Sequence, residues 1–357
     1  MEKLFLKGNQ AIAEAAVRAG CRFFAGYPIT PQNEIPEHLS WRLAEVGGTF
    51  IQAESEVAAS YMVFGAAMTG TRALTSSSGC GIALYTEGIG YMVGSRVPAV
   101  IINMARGGPG LGSILPAQQD YFAATKAPSN GGARCFVLAP STIQEAVDMV
   151  YRAFDIADEY RCVAYILADG VIGNMMANVT LPEMRSMDTM PDKRDWIITG
   201  RNEDGSMRMI TSCLVPTELT EVQNRFFASM YQEWQERLTE VECLGTEDAE
   251  VILTAYGTSA RTALAVRAIL REEGVRVGVI RPKTLFPFPS QAYEALDPEQ
   301  IKKVICLEMS IPGQMVEDVR AHTDRRIPVL HYGRSGGALL KQEEACQAVR
   351  NMLREGT

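Results

Sequence analysis

Continuous apolar runs, each followed by a helical pattern, recur along this chain and confine it to an α/β architecture. "CRFFAG", "TFIQA", "RALTSSS", "PAVIINMAR", "ARCFVLA" and "CVAYILAD" are separated by helix-like stretches such as "SEVAASYMVFGAAM" and "STIQEAVDMVYRAFDIADEY". Strands apolar on both faces must be covered on both faces, so the pattern predicts a doubly wound parallel sheet over residues 1–175. Residues 176–248 break the rhythm. They are polar and Met-rich, then carry one long amphipathic helix around "PTELTEVQNRFFASMYQEWQERL", and are expected to form a connecting excursion. The alternation restarts with "EVILTAYG", "SARTALAVRAILREEG", "VRVGVIRP", "KKVICLEMS" and "PVLHYG", predicting a second, smaller α/β domain over residues 249–357. A length of 357 residues accommodates two domains.

A net charge of -8 with no run of Lys and Arg argues against nucleic acid or an anionic membrane surface as partner. The longest apolar runs, such as "VPAVIINMA", fall short of a membrane span. The N-terminal "MEKLFLKGNQ" lacks a signal-peptide pattern, so the expected compartment is the cytoplasm. Eight cysteines stand singly at 21, 80, 135, 162, 213, 243, 306 and 346, and the three histidines (His38, His322, His331) adjoin no nucleophile motif. Buried free thiols and no metal site in this chain are the expectation.

In open parallel sheets, ligands bind beyond the carboxyl ends of the strands. There this sequence places Tyr27-Pro28-Ile29-Thr30, then Gln52, Glu54 and Glu56, then Ser76-Ser77-Ser78-Gly79, then Asn103 and Arg106 ahead of "GGPGLG". Asn9 is expected to cap the first helix over 10–19, and Thr30 the next one, with Pro31 at its first position. Glu56 opens a helix of small and apolar residues. Its carboxylate either complements the helix dipole or points into an apolar cleft, where burial raises its pKa and it relays a proton to a heterocycle nitrogen. Glu54 lies on another face and is expected in solvent. Arg106 is either a surface ion-pair residue or a bidentate anchor for a small carboxylate. Pro109 and the lack of an immediate helix argue against reading "GGPGLG" as a dinucleotide fingerprint, and "SSSGCG" lacks nucleophile-elbow spacing.

Taken in order, "KGNQAIAEAAVRAGCRFFAGYPITP", "QAESEVAASYMVFGAA", "TSSSGCGIAL", "RGGPGLG", "QQDYFAATK", "VILTAYGTSART", "VRVGVIRPKTLFPFP" and "EMSIPGQMVEDVR" resemble the α subunit of 2-oxoacid:ferredoxin oxidoreductases. "PQNEIPE", "QAESEVAA" and "GPGLGS" resemble its branched-chain type, which acts on 3-methyl-2-oxobutanoate (2-ketoisovalerate). The 2-oxoglutarate and aryl-2-oxoacid types are the near alternatives.

The resemblance implies a thiamine-diphosphate-binding pyrimidine domain followed by a transketolase-C-like domain. It implies Glu56 as the carboxyl that activates the pyrimidine. It implies Thr30 and Arg106 at the 2-oxoacid, and Tyr27, Pro28, Ile29, Ser77, Ser78 and Gly79 along the cofactor. Cys80 stands where the family pattern has proline. The chain lacks the family's GDG-to-Asn magnesium motif and cluster-binding cysteines. The resemblance therefore implies a β subunit carrying diphosphate, Mg2+ and a [4Fe-4S] cluster, with γ and ferredoxin-like δ subunits as further members. Coenzyme A is the implied acyl acceptor and ferredoxin or flavodoxin the implied electron acceptor. The chain alone is expected to be inactive. A non-catalytic assembly subunit and a nicotinamide dehydrogenase are the competing classes.

Overall fold

The computed structural model describes residues 2–202 and 204–354. Its larger sheet runs in the spatial order Thr284–Phe286, Phe136–Leu138, Val163–Asp169, Ala99–Gly107, Ala73–Ser77, Phe23–Gly26, Thr49–Gln52, with Ser113–Pro116 turned back against Ala99–Gly107. All neighbours are parallel except Thr284–Phe286 and Ser113–Pro116. Helices Gly8–Arg18, Glu34–Glu45 and Ile143–Tyr160 cover one face through Ile12, Val17, Leu39, Leu43, Val147 and Phe154. Helices Glu56–Met68 and Thr86–Gly94 cover the other through Ala59, Val63, Ala67, Ile89 and Met92. Burying each such Leu, Ile, Val or Met contributes about 1.5–3 kcal/mol, which is why strands without a polar face need both helical layers.

The chain leaves Phe23–Gly26 toward Thr49–Gln52 on one side and then crosses to Ala73–Ser77 on the other. The strand order therefore reverses between Phe23–Gly26 and Ala73–Ser77, and a crevice opens at their carboxyl ends. Those ends carry the YPITP turn and the serine run.

Two helix starts differ from expectation. Asn9 lies inside the first helix, whose N-cap is Lys7. Its amide instead donates to Pro31 O at 2.8 Å and Glu34 Oε2 at 2.7 Å, fastening the YPITP turn from below. The second helix begins at Glu34, not at Thr30–Pro31. A helix begun at Pro31 would carry Pro36 in its interior, whereas from Glu34 the ring falls in the first turn, where no intrahelical N–H bond is lost.

A smaller sheet runs Val241–Leu244, Val277–Pro282, Val251–Thr254, Lys303–Glu308, Val329–Gly333, parallel except for its first strand. That first strand comes from the segment read as connecting. The same segment gives Met176–Leu181, paired antiparallel with Glu2–Lys7, and the helix Glu218–Arg237, which buries Met230 and Trp234. The two sheets are joined by Gln118, whose amide donates to Tyr256 O at 2.8 Å and accepts from Met309 N at 2.9 Å. Of the eight free cysteines, Cys21, Cys135, Cys162, Cys306 and Cys346 are buried, Cys80 is half-buried, and Cys213 and Cys243 are exposed.

Glu14 is a buried carboxylate of the first helix that faces the second. Burial opposes its charge, but hydrogen bonds from His38, Arg42 and Arg18 outweigh that and hold its pKa at about 2. A depressed carboxylate contributes stability that is complete above its unfolded value near 4.5 and is lost as pH falls from there through about 2. Glu14→Gln is therefore expected to destabilise the fold at neutral pH by on the order of 2 kcal/mol after allowance for solvent screening. In denaturant melts the gap from wild type should close as pH drops from 4.5 toward 2.

Candidate active site

At the reversal point, Gly26 runs into Tyr27 and Pro28, both exposed, and Ile29, half-buried. Thr30 follows, exposed, and then a cis bond to Pro31. Gln32, fully buried, ties this turn to the neighbouring strand: its Oε1 accepts from Ser76 Oγ at 2.6 Å and its Nε2 donates to Tyr27 O at 3.3 Å.

Glu56 opens its helix behind Ser55, whose Oγ accepts from Ala58 N at 3.2 Å as the N-cap. The cap fixes the first turn and directs Glu56 inward. It is 6% exposed, while Glu54 lies in solvent. No side chain or backbone group among the described residues donates a hydrogen bond to the Glu56 carboxylate. It sits against the turn that follows Ala73–Ser77. A methyl group at Gly81 would lie 2.5 Å from Glu56 Oε1 and 2.2 Å from Ser77 Oγ, so glycine alone lets the chain pass this close. Gly79 has φ +49°, a left-handed conformation that side chains disfavour. The two serines differ in use. Ser78 Oγ donates to Met104 O at 2.7 Å, whereas Ser77 Oγ is buried without a partner.

Arg106, 4% exposed, projects from the end of Ala99–Gly107. Its Nη1 donates to Thr30 O at 2.9 Å, and its Nη2 to Cys80 Sγ and Leu111 O, both at 3.2 Å. Its Nε is buried and unpartnered. One guanidinium thus fastens the YPITP turn, the Gly79–Gly81 turn and the glycine-rich loop. The Gly79–Gly81 turn thus packs against Glu56 and Ser77 at Gly81 and against Arg106 at Gly79, while Arg106 holds Thr30 O.

Asn103, which the sequence puts at a strand end beside Arg106, meets Asp120, which the sequence does not single out. Asn103 Nδ2 donates to Asp120 Oδ2 at 2.9 Å, and burial raises the Asp120 pKa, opposed by that hydrogen bond and by the charge of Arg106. Asn103 interrupts the apolar run that leads to Arg106, but its partner lies seventeen positions on and has no local signal.

The family described as "Pyruvate flavodoxin/ferredoxin oxidoreductase, thiamine diP-bdg" matches residues 14–242, and "Pyruvate:ferredoxin oxidoreductase core domain II" matches residues 249–345. A ketoisovalerate oxidoreductase subunit VorB of Methanothermobacter marburgensis is 40% identical over 99% of both chains. The chain belongs to the pyruvate flavodoxin/ferredoxin oxidoreductase family. A second relative in this family, the 2-oxoglutarate synthase subunit KorA of Methanothermobacter thermautotrophicus, is 32% identical over 99% of this chain and 100% of its own. The fold matches that of 2-oxoglutarate:ferredoxin oxidoreductase from Magnetococcus marinus, solved with 2-oxoglutarate, coenzyme A and succinyl-CoA bound. The TM-score is 0.86 at 24% identity, covering 99% of this chain and 65% of that one. A split-gene transketolase, described as an inactive β4 tetramer, shares the fold more distantly, with a TM-score of 0.59. The expected thiamine-diphosphate-binding α/β fold with a smaller second sheet is what this oxidoreductase-family chain has.

Proposed function

We propose that this chain is the α subunit of a thiamine-diphosphate-dependent 2-oxoacid:ferredoxin oxidoreductase acting on a branched-chain 2-oxoacid such as 3-methyl-2-oxobutanoate. The observation that supports it is that one turn, Gly79–Gly81, packs against both the buried Glu56 and the buried Arg106, whose Nε has no partner. The aminopyrimidine half of the cofactor fits these residues. Ser77 Oγ is buried without a partner among the described residues, and the missing side chain at Gly81 keeps the approach to it and to the Glu56 carboxylate clear. When bound, thiamine diphosphate supplies a nucleophilic carbon and an electron sink for decarboxylation. Glu56 holds a proton toward a ring nitrogen of the heterocycle, setting its tautomer. Tyr27, Pro28, Ile29, Ser77, Ser78 and Gly79 line it, mostly through backbone. Arg106 receives the 2-oxoacid carboxylate, with the Thr30 hydroxyl beside it. Net, the 2-oxoacid loses carbon dioxide, coenzyme A takes the acyl group, and two electrons leave for ferredoxin or flavodoxin.

In this reading the pyrimidine-binding unit is residues 1–175 and the transketolase-C-like unit 249–357, with 176–248 connecting them. A β subunit brings diphosphate, Mg2+ and a [4Fe-4S] cluster, and γ and δ subunits complete a cytoplasmic complex. Exposed apolar side chains around the buried Glu56, among them Val57, Leu84 and Tyr91, are surface that such a subunit would cover. No described helix is long and apolar enough to cross a membrane.

The branched-chain assignment is supported by the VorB relatives and by the apolar Leu111, Ile114 and Leu115 exposed beside Arg106. The test is a panel of 2-oxoacids with coenzyme A and the purified complex. We expect kcat/KM to be highest for 3-methyl-2-oxobutanoate, by about tenfold over a substrate two methylenes different. A maximum at 2-oxoglutarate would move the enzyme to the KorA type, and no turnover of any 2-oxoacid would leave an assembly subunit.

A further inference from the structure

Arg106 faces a contradiction as a carboxylate anchor. Its Nη1 is committed to Thr30 O and its Nη2 to both Cys80 Sγ and Leu111 O, so little of the fork is open for a bidentate ligand. The partners are not equal, however. Thr30 O, at 2.9 Å, is a carbonyl, a good acceptor at ordinary distance. Leu111 O, at 3.2 Å, belongs to a glycine-rich loop whose Leu111 side chain is 80% exposed. Cys80 Sγ is a cysteine sulfur, among the weakest acceptors a side chain offers.

The sulfur is nevertheless held firmly in place. Gly79, at φ +49°, turns the chain into a short helix that starts at Cys80. Ser78 Oγ fastens the turn to Met104 O, two residues before Arg106 on the same strand. A methyl group at Gly79 would lie 3.3 Å from Arg106 Cγ and 3.5 Å from its unpartnered Nε, so the turn packs along the flank of the side chain.

We propose that Cys80 is a positioning residue for Arg106: its thiol orients the guanidinium in the empty crevice and gives up Nη2 when a substrate carboxylate arrives. A charged acceptor makes a hydrogen bond roughly twice as strong as a neutral one. A carboxylate at position 80 would keep the arginine permanently, and a methyl group would leave Nη2 to the Leu111 carbonyl alone. A thiol holds the fork without competing for it. The proposal rests on the reading of Arg106 as the carboxylate anchor.

The test uses the reconstituted complex with Cys80→Asp, Cys80→Ala and Cys80→Ser, and Glu56→Gln as control. Cys80→Asp should raise KM for the 2-oxoacid by about 100-fold or more, acting as an internal competitor. Cys80→Ala should raise KM about three- to tenfold with kcat within about twofold, the signature of lost ground-state orientation. Cys80→Ser, which keeps an acceptor, should restore KM to within about threefold of wild type. On the unmutated complex, the 2-oxoacid should slow iodoacetamide labelling of Cys80, read on its own peptide by mass spectrometry. This arm stands even if a variant fails to fold. Unchanged KM in the Asp and Ala variants, a kcat loss that serine does not rescue, or labelling indifferent to the 2-oxoacid each overturns the proposal. If Glu56→Gln is inactive in that event, the site reading survives; if Glu56→Gln is fully active, the site reading itself has failed.

Discussion

Glu56→Gln in the assembled complex is expected to lower kcat by about 10²- to 10⁴-fold, the span over which a positioned acid–base group contributes. Glutamine is nearly isosteric, and the Gly81 turn packs so close that a methyl group added there would lie 2.5 Å from Glu56 Oε1, which leaves the side chain little choice of place. The amide would still reach a ring nitrogen but could not exchange a proton with it. The effect therefore isolates proton transfer from packing. KM should change little, because Arg106, the proposed anchor of the substrate carboxylate, is left in place. Rapid-quench kinetics with matched circular dichroism would check both points. Activity within about threefold of wild type would reduce the chain to a scaffold that retains the fold without the chemistry.

Arg106→Lys is expected to cut kcat/KM by about 10²- to 10³-fold, the range found when one member of a buried, hydrogen-bonded charge pair is lost. Charge is kept, so the loss measures geometry. An ammonium cannot reach Thr30 O, Cys80 Sγ and Leu111 O from one plane, nor present two parallel N–H groups to a carboxylate. Because the guanidinium also ties three strand ends together, the variant should melt several degrees lower, by the ~1–3 kcal/mol expected when buried acceptors lose their donor. Full kcat/KM with lowered melting would make Arg106 purely structural.

The crevice was legible because its parts sit at strand ends, and strand ends follow from apolar periodicity. Glu56 could be placed at a helix start from the small and apolar residues after it, whereas its burial depends on the Gly81 turn packed against it from another part of the chain. What escaped depends on contacts distant in sequence. Asn9 has the chemistry of a cap, but its amide is drawn to Pro31 O across twenty-two positions. The strand Val241–Leu244 is short and half-polar, and only its neighbour Val277–Pro282 makes it a strand. Cys80 looked like a departure in a loop. Its role is visible only once Arg106 arrives from another strand.

One strand of the larger sheet, Thr284–Phe286, is supplied by the far half of the chain and lies along Phe136–Leu138. The composition break near residue 248 is therefore not a seam along which the protein could be divided. An N-terminal fragment ending there would present Phe136–Leu138 as an uncovered apolar edge, open to pairing with other molecules. Inheritance follows the same logic: the two halves cannot be shuffled as independent cassettes, because each generation must pass on the borrowed strand with the sheet that uses it.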